Sequence, residues 1–251
     1  ALQAMAAQIE QQCGDVLQVA KKPWWEPGDT DVLYSAQDEL NRKRYREYLF
    51  HGEACRPIAL FCETVNRCNN SCVICAYDRQ SRPKGTMRME LFEKLLKDYS
   101  DLGGGHLSLT PVVGEVFLDC HLMERVRLAK ASRTIRSLSF TTNASAACLL
   151  SDAELEYVLN ATRRVQVSIY GLNEAEFRAM TRRDSYPQLL RELNRILRFA
   201  INEVVLAPRL LFLRAPAELT CWVEALDAYR ESRATIVVSE PAYMHANWGV
   251  F

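Results

Sequence analysis

The feature that most constrains the fold is a regular alternation of strand-like and helix-like runs that begins near residue 57. Short runs rich in β-branched and aromatic residues are separated by amphipathic stretches of helical length. This pattern is typical of consecutive βαβ units and a parallel sheet. Because the runs are too few for a closed eight-stranded barrel, we predict an α/β fold of the partial (β/α)6 barrel type. The strand-like runs cover residues 58–65, 106–110, 135–143, 163–171, 203–213 and 234–240.

The segment before these runs has a different composition. Residues 1–56 are polar and helix-rich, and two prolines and a glycine interrupt the helical pattern within residues 23–29. We therefore predict a helical N-terminal lead-in over residues 1–56 and a partial-barrel domain over residues 57–251. In parallel sheets, ligands gather at the carboxyl ends of the strands, so functional residues are expected in the loops that follow strands.

Charge and hydropathy exclude several classes of partner. Lys plus Arg and Asp plus Glu both number 31, and this zero net charge argues against a nucleic-acid partner held by bulk electrostatics. No apolar run approaches the length of a membrane span, and the first residues do not resemble a secretory signal. The cysteines number nine and are not spaced as a disulfide framework, which favours a reducing cytoplasm.

Three of the cysteines form the spacing Cys-x3-Cys-x2-Cys directly after the first strand-like run. Cys68, Cys72 and Cys75 lie in the segment CNNSCVIC. Three thiolates on one short loop can hold three irons of a cubane iron–sulfur cluster. A cluster bound by four cysteines typically carries electrons. A cluster bound by three leaves one iron open to another ligand, so the spacing predicts a reactive centre.

A zinc site is the alternative explanation of these cysteines. Structural zinc usually takes four N or S ligands from two separate pairs, and no second Cys-x2-Cys or His-x3-His follows this loop. The remaining cysteines are scattered singly, as small core residues usually are. They are Cys13, Cys55, Cys62, Cys120, Cys148 and Cys221.

With this loop and strand pattern, the chain resembles the radical S-adenosylmethionine (radical SAM) superfamily over roughly residues 57–240. A Gly-Gly-Glu-Pro stretch follows the second strand of that family and contacts the methionine amino group of S-adenosylmethionine. The resemblance places Val113, Gly114 and Glu115 in this role. Val113 replaces the first glycine of the stretch and Val116 replaces its proline.

Two further strand ends carry the resemblance. FTTNAS resembles the Thr-Asn-Gly segment that touches the ribose region, which implies that Thr142 and Asn143 bind there. The segment beginning VSIYG resembles a Ser-x-Asp-Gly strand end followed by a helix and an arginine. The resemblance therefore implies that Ser168 and Arg182 face the ribose and the carboxylate of the cofactor, with Arg183 as the competing arginine.

Several positions depart from the family pattern. Ala144 replaces the glycine of Thr-Asn-Gly, and Tyr170 replaces the aspartate of Ser-x-Asp-Gly. Ile74 stands where many members have an aromatic residue that stacks near adenine.

The last residues, EPAYMHANWGVF, resemble the lead-in to the cysteine-rich SPASM or twitch extension of one subgroup, but none of its cysteines is present. We therefore expect either a trimmed domain or a member without auxiliary clusters. A chance hydrophobic anchor explains the Trp-Gly pair equally well. Glu240, Tyr243 and His245 are candidate catalytic bases near the last strand.

The resemblance implies a [4Fe–4S] cluster on the three cysteines and S-adenosylmethionine as cofactors. An external one-electron donor of the flavodoxin or ferredoxin type would reduce the cluster. Reductive cleavage of S-adenosylmethionine would then give a 5'-deoxyadenosyl radical that abstracts hydrogen from a peptide, a protein side chain or a natural product. Two other hypotheses stay open: a non-catalytic relative that binds a peptide or protein partner, and a zinc-stabilised domain.

Overall fold

The structure is a computed structural model, and it describes residues 57, 59–212, 214–239 and 242–243. The predicted lead-in over residues 1–56 lies outside the described residues, so that segment and its boundary stay predictions. The described residues form one sheet in which the first six strands are parallel and follow each other in sequence order. The strands are β1 (Ala59–Phe61), β2 (Gly105–Ser108), β3 (Ile135–Thr142), β4 (Arg164–Ile169), β5 (Glu203–Leu210), β6 (Thr235–Val238) and β7 (Ala242–Tyr243).

Helices connect the strands, and the predicted α/β partial barrel is confirmed. The α-helices are α1 (Met89–Asp101), α2 (Leu122–Ala131), α3 (Asp152–Ala161), α4 (Glu174–Thr181), α5 (Tyr186–Phe199) and α6 (Pro216–Glu224). A capping box begins α3, since Ser151 and Glu154 exchange side-chain to backbone hydrogen bonds. No helix among the described residues is long and apolar enough to span a bilayer.

The core lies between the helices and one face of the sheet. Parallel neighbours in sequence order are joined by crossovers of a single hand, so the helices pack on the same face. Leu107, Phe140 and Val167 are fully or almost fully buried against helix residues such as Leu193. Burying each such side chain contributes about 1.5–3 kcal/mol. Alternate residues of the strands point the other way, to what we call the inner face. Those that matter below are His106, Ser108, Ser137, Ser139, Thr141, Gln166, Ser168, Val205, Ala207 and Arg209.

Two elements are much shorter than their sequence patterns. The first strand leaves the sheet after Cys62, because Thr64 and Asn66 take backbone hydrogen bonds with Met87 and Gly85 instead. The last helical pattern extends to residue 232, but α6 ends at Glu224. There the Ala228 amide donates to the Asn194 side chain (2.9 Å), which removes that amide from helical bonding.

Candidate cluster and cofactor site

The cysteine loop follows β1 and rests on the C-terminal end of α4. The Ser71 and Val73 amides donate to the carbonyls of Thr181 (3.1 Å) and Met180 (2.8 Å). These carbonyls belong to the last turn of the helix, where carbonyl groups lack intrahelical partners. Cys72 and Ile74 pack against Met180 in a small separate apolar cluster. The loop is therefore held by backbone bonds on one side and by apolar packing beneath.

Gly114 lets the loop after β2 approach the segment that leads into the cysteines. A Cβ atom added at Gly114 would lie 2.4 Å from the Val65 carbonyl oxygen and 3.2 Å from that of Arg67. Only glycine tolerates this approach without a shift of backbone. The neighbouring Glu115 amide donates to the Arg67 carbonyl (2.8 Å), so the contact also has a hydrogen bond.

Glu63 joins the same two segments through its side chain. One carboxylate oxygen accepts hydrogen bonds from the amides of Val112 (2.9 Å) and Val113 (3.1 Å). The other oxygen forms an ion pair with Arg82 (2.6 Å). The Val113 amide is thus occupied by protein, although Val113 is one of the predicted cofactor contacts.

Glu115 connects the loop after β2 to the end of β3. Its carboxylate accepts from the Thr142 hydroxyl (2.5 Å), the Asn143 amide (2.7 Å) and the Phe117 amide (3.3 Å). Burial raises the pKa of this carboxyl to about 7, and these hydrogen bonds partly oppose the shift. Glu115 therefore positions two other predicted site residues.

Asn143 brings the end of β3 to the first cysteine. Its amide nitrogen donates to Asn69 (2.8 Å) and lies 3.7 Å from the Cys68 sulfur. Its amide oxygen accepts from the backbone and the hydroxyl of Ser145, which in turn accepts from Asn69. The intervening Ala144 has φ +64°, a conformation that favours glycine, so the structure accounts for the family's preference at this position.

The end of β4 reaches the second cysteine through Tyr170. Tyr170 packs against the small cluster that contains Cys72, and its hydroxyl lies near the Cys72 thiol and the Ser168 hydroxyl. Ser168 is buried on the inner face. Four successive strand ends thus meet around one loop, which is where a parallel sheet places its ligands.

Comparison with known proteins decides the family. The model of the radical SAM superfamily matches residues 62–210, which include the cysteine loop and β2 to β5. The chain belongs to the radical SAM superfamily. Members use a [4Fe–4S] cluster and S-adenosylmethionine, and the predicted superfamily is confirmed. The SPASM or twitch subgroup stays a prediction.

Individual relatives agree with this family. The chain is 30% identical over 136 residues to the GTP 3',8-cyclase of Chlorobaculum tepidum, which is 53% of this chain and 39% of the relative. It is 30% identical over 142 residues to a probable GTP 3',8-cyclase of Methanothermobacter thermautotrophicus, or 53% of this chain and 41% of the relative. The match therefore spans about two fifths of these curated relatives.

A solved structure supports the fold. The crystal structure of Streptococcus suis SuiB bound to S-adenosylmethionine superimposes with a TM-score of 0.53 and 14% identity. The superposition covers 99% of this chain and 56% of SuiB.

The three thiols have the chemistry that radical SAM ligation requires. Burial raises the pKa of Cys68 to about 12, and the nearby Glu115 carboxylate adds to the shift. Burial also raises the pKa of Cys72 and of Cys75, and the neighbouring Cys68 and Cys75 thiols raise the pKa of Cys72 further. Free thiols here stay protonated, whereas bound iron deprotonates its thiol ligands. Binding of a cluster by these thiols would therefore release their protons.

The surroundings of the thiols also fit a cluster. The Asn70 side chain lies inside the cysteine loop and is 1% exposed, yet neither of its polar atoms has a partner. A buried amide without partners is unfavourable, and a ligand in the loop would supply them. No group of His, Cys, Asp or Glu side chains among the described residues converges on one metal ion. A cubane cluster does not need such convergence, because each thiolate binds a different iron.

Other predicted site residues lie further out. Arg182 is at the end of α4 with φ +57°, and its largely exposed side chain pairs with Asp78 (3.3 Å). Its predicted contact with the cofactor carboxylate stays a prediction. Among the candidate bases, Glu240 and His245 lie outside the described residues, and Tyr243 is described only by its backbone in β7.

Sequence reasoning missed three residues that build this site. Glu63, Asn69 and Ser145 hold the cysteine loop to neighbouring loops, as described above. Two of them carried a signal. Glu63 is the acidic residue of an otherwise apolar strand-like run, and Asn69 lies inside the cysteine motif itself. Ser145 carried none, because its role depends on the fold of the β3 end.

Proposed function

We propose that this chain is the cofactor-binding barrel of an enzyme that reductively cleaves S-adenosylmethionine and uses the product to abstract hydrogen from a substrate. The observation that carries the proposal is the arrangement of Cys68, Cys72 and Cys75 on one loop that contacts the ends of β2, β3 and β4. A [4Fe–4S] cluster held by these three cysteines would supply the one electron needed for reductive cleavage of S-adenosylmethionine to methionine and a 5'-deoxyadenosyl radical.

The chain's own residues would position the two cofactors. Cys68, Cys72 and Cys75 would ligate three irons. Glu115 and Asn143 would fix the loops around the first cysteine, and the loop around Gly114 would be held close to the cluster. Ser168, Thr142 and Arg182 remain the proposed contacts to S-adenosylmethionine. An external one-electron donor would complete the system.

The substrate class is a finer proposal. The curated relatives are named for a reaction of GTP, whereas the sequence resemblance favours a peptide, a protein side chain or a natural product. GTP is therefore the first substrate to add. We also propose a cytoplasmic location, because the cluster requires reduced thiols and the cytoplasm keeps thiols reduced.

The test is reconstitution without oxygen, followed by dithionite and S-adenosylmethionine, with 5'-deoxyadenosine measured by chromatography. We expect a brown protein that forms 5'-deoxyadenosine, and a Cys68→Ala, Cys72→Ala, Cys75→Ala variant that is colourless and inactive. Cys120→Ala is the matched control, because Cys120 is exposed and outside the loop.

Two results would contradict the proposal. A colourless wild type with one zinc per chain would support the zinc-stabilised domain. A brown wild type that forms no 5'-deoxyadenosine would support the non-catalytic relative.

A further inference from the structure

The inner face of the sheet carries polar side chains on β2 and β3. The interior of a closed parallel barrel is usually filled by branched apolar side chains. Here Ser108 bonds to Thr110 (2.8 Å), and both ring nitrogens of His106 bond to Ser137 (2.7 Å) and Ser139 (2.8 Å). Such a surface is suited to water or a polar ligand rather than to a dry core.

Arg209 is a charged residue of this face whose Nε atom has no partner within the described part of the chain. Arg209 follows Val205 and Ala207 on the inner side of β5. Its Nε atom is buried without a hydrogen-bond partner, and no carboxylate of the described residues pairs with it. A buried guanidinium donor without an acceptor is unfavourable, and arginine is suited to bind phosphate or carboxylate through two parallel bonds.

A second arginine on the same face provides the contrast. Arg164 begins β4 and forms an ion pair with Glu203, directly across on β5. Among the described residues, the same two strands therefore neutralise an arginine at their amino ends and leave one without a carboxylate partner at their carboxyl ends. The carboxyl ends are where parallel sheets bind ligands.

The position of Arg209 relates it to the cluster loop. Pro208 pairs with Ile169 of β4, so Arg209 and Tyr170 are the next residues at the carboxyl ends of the two strands. Tyr170 in turn packs against the small cluster that contains Cys72. An anion bound by Arg209 would therefore lie one side chain away from the cysteine loop. A substrate held at this distance is placed beside the reacting atoms rather than at the outer surface.

We propose that Arg209 binds an oxyanion, a phosphate or a carboxylate, of a small polar substrate. The inference rests on the proposed function for its identification of the ligand as substrate. The substrate would then be an anion, and the Arg209 guanidinium would bind it against the polar inner face.

The experiment measures equilibrium binding to the reconstituted protein by calorimetry, with inorganic pyrophosphate, malonate and S-adenosylmethionine as separate probes. The variants are Arg209→Gln and Arg209→Lys, with Arg198→Gln as control because Arg198 is an exposed arginine on α5. We expect Arg209→Gln to lower the affinity of the protein for pyrophosphate or for malonate at least tenfold. We expect Arg209→Lys to bind the anion with an affinity between those of wild type and Arg209→Gln. Lysine keeps the positive charge but cannot donate the two parallel hydrogen bonds of a guanidinium.

The probe that responds identifies the oxyanion as phosphate or carboxylate. Unchanged binding of both anions would overturn the proposal. So would a larger loss for S-adenosylmethionine than for either anion, because Arg209 would then hold the cofactor. A structural role of Arg209 would be detected by the melting temperature, which we expect Arg209→Gln not to lower, because the substitution removes a buried Nε donor that has no acceptor among the described residues. Failure of the proposed function would appear separately, as wild type that forms no 5'-deoxyadenosine.

Discussion

Gly114→Ala tests how the site is assembled. The added Cβ would lie 2.4 Å from the Val65 carbonyl oxygen and 3.0 Å from the Pro111 Cβ. Because ordinary contacts begin near 3.4 Å, the loop after β2 must move by about 1 Å. Such overpacking costs about 1–3 kcal/mol. Loss of the hydrogen bond from Glu115 to Arg67 adds about 0.5–1.5 kcal/mol.

We therefore expect Gly114→Ala to lower the free energy of unfolding by about 1.5–4.5 kcal/mol. For a chain of this size the melting temperature would fall by roughly 3–18 °C. Because the shift displaces the segment before Cys68, iron bound after reconstitution is expected to fall too. The assays are urea unfolding of the unreconstituted protein and iron per chain after reconstitution.

Gly85→Ala is the matched control. Gly85 lies in the segment that pairs with Asn66, but a Cβ there meets nothing within 4 Å. Its effect should stay within about 0.5 kcal/mol. Equal stability and equal iron content in the two variants would refute the reasoning that close backbone approach at Gly114 assembles the site.

Three further variants test the neighbouring contacts. Tyr170→Phe removes a hydroxyl beside the Cys72 thiol, so the cluster's reduction potential should become more negative in a redox titration followed by electron paramagnetic resonance. No change in potential would exclude that contact. Asn143→Asp replaces an amide donor 3.7 Å from the Cys68 sulfur with a carboxylate, and iron retention during dialysis should fall. Retention equal to wild type would contradict this role. Burial raises the pKa of Glu115 from 4.5 to about 7, so the folded state holds this proton where the unfolded state has lost it. Its stabilising contribution is present below pH 4.5 and is lost as pH rises to about 7, and Glu115→Gln should remove that part of the slope in urea unfolding measured across this range. The same slope in both proteins would show that Glu115 titrates normally.

Local patterns predicted the elements better than their ends. The alternation of apolar runs predicted every strand from β1 to β6, because burial of one face needs only the sequence period and the neighbouring helices. The end of β1 was not predictable, because residues 85–87 take its hydrogen bonds from the other side. Likewise, α6 ends early because Asn194, distant in sequence, captures the Ala228 amide.

The sequence by itself determined the family, and it predicts that three cysteines are the metal ligands. Cys68, Cys72 and Cys75 are neighbours along the chain, so their spacing already places three thiols on one loop. Only the tertiary structure decided how that loop is held and what faces it. The contact of Glu63 with the Val113 amide spans 50 positions, and Arg209 is unpaired because no described carboxylate reaches the carboxyl end of β5. Such relations depend on which strands become neighbours in the folded sheet, and no local pattern carries that information.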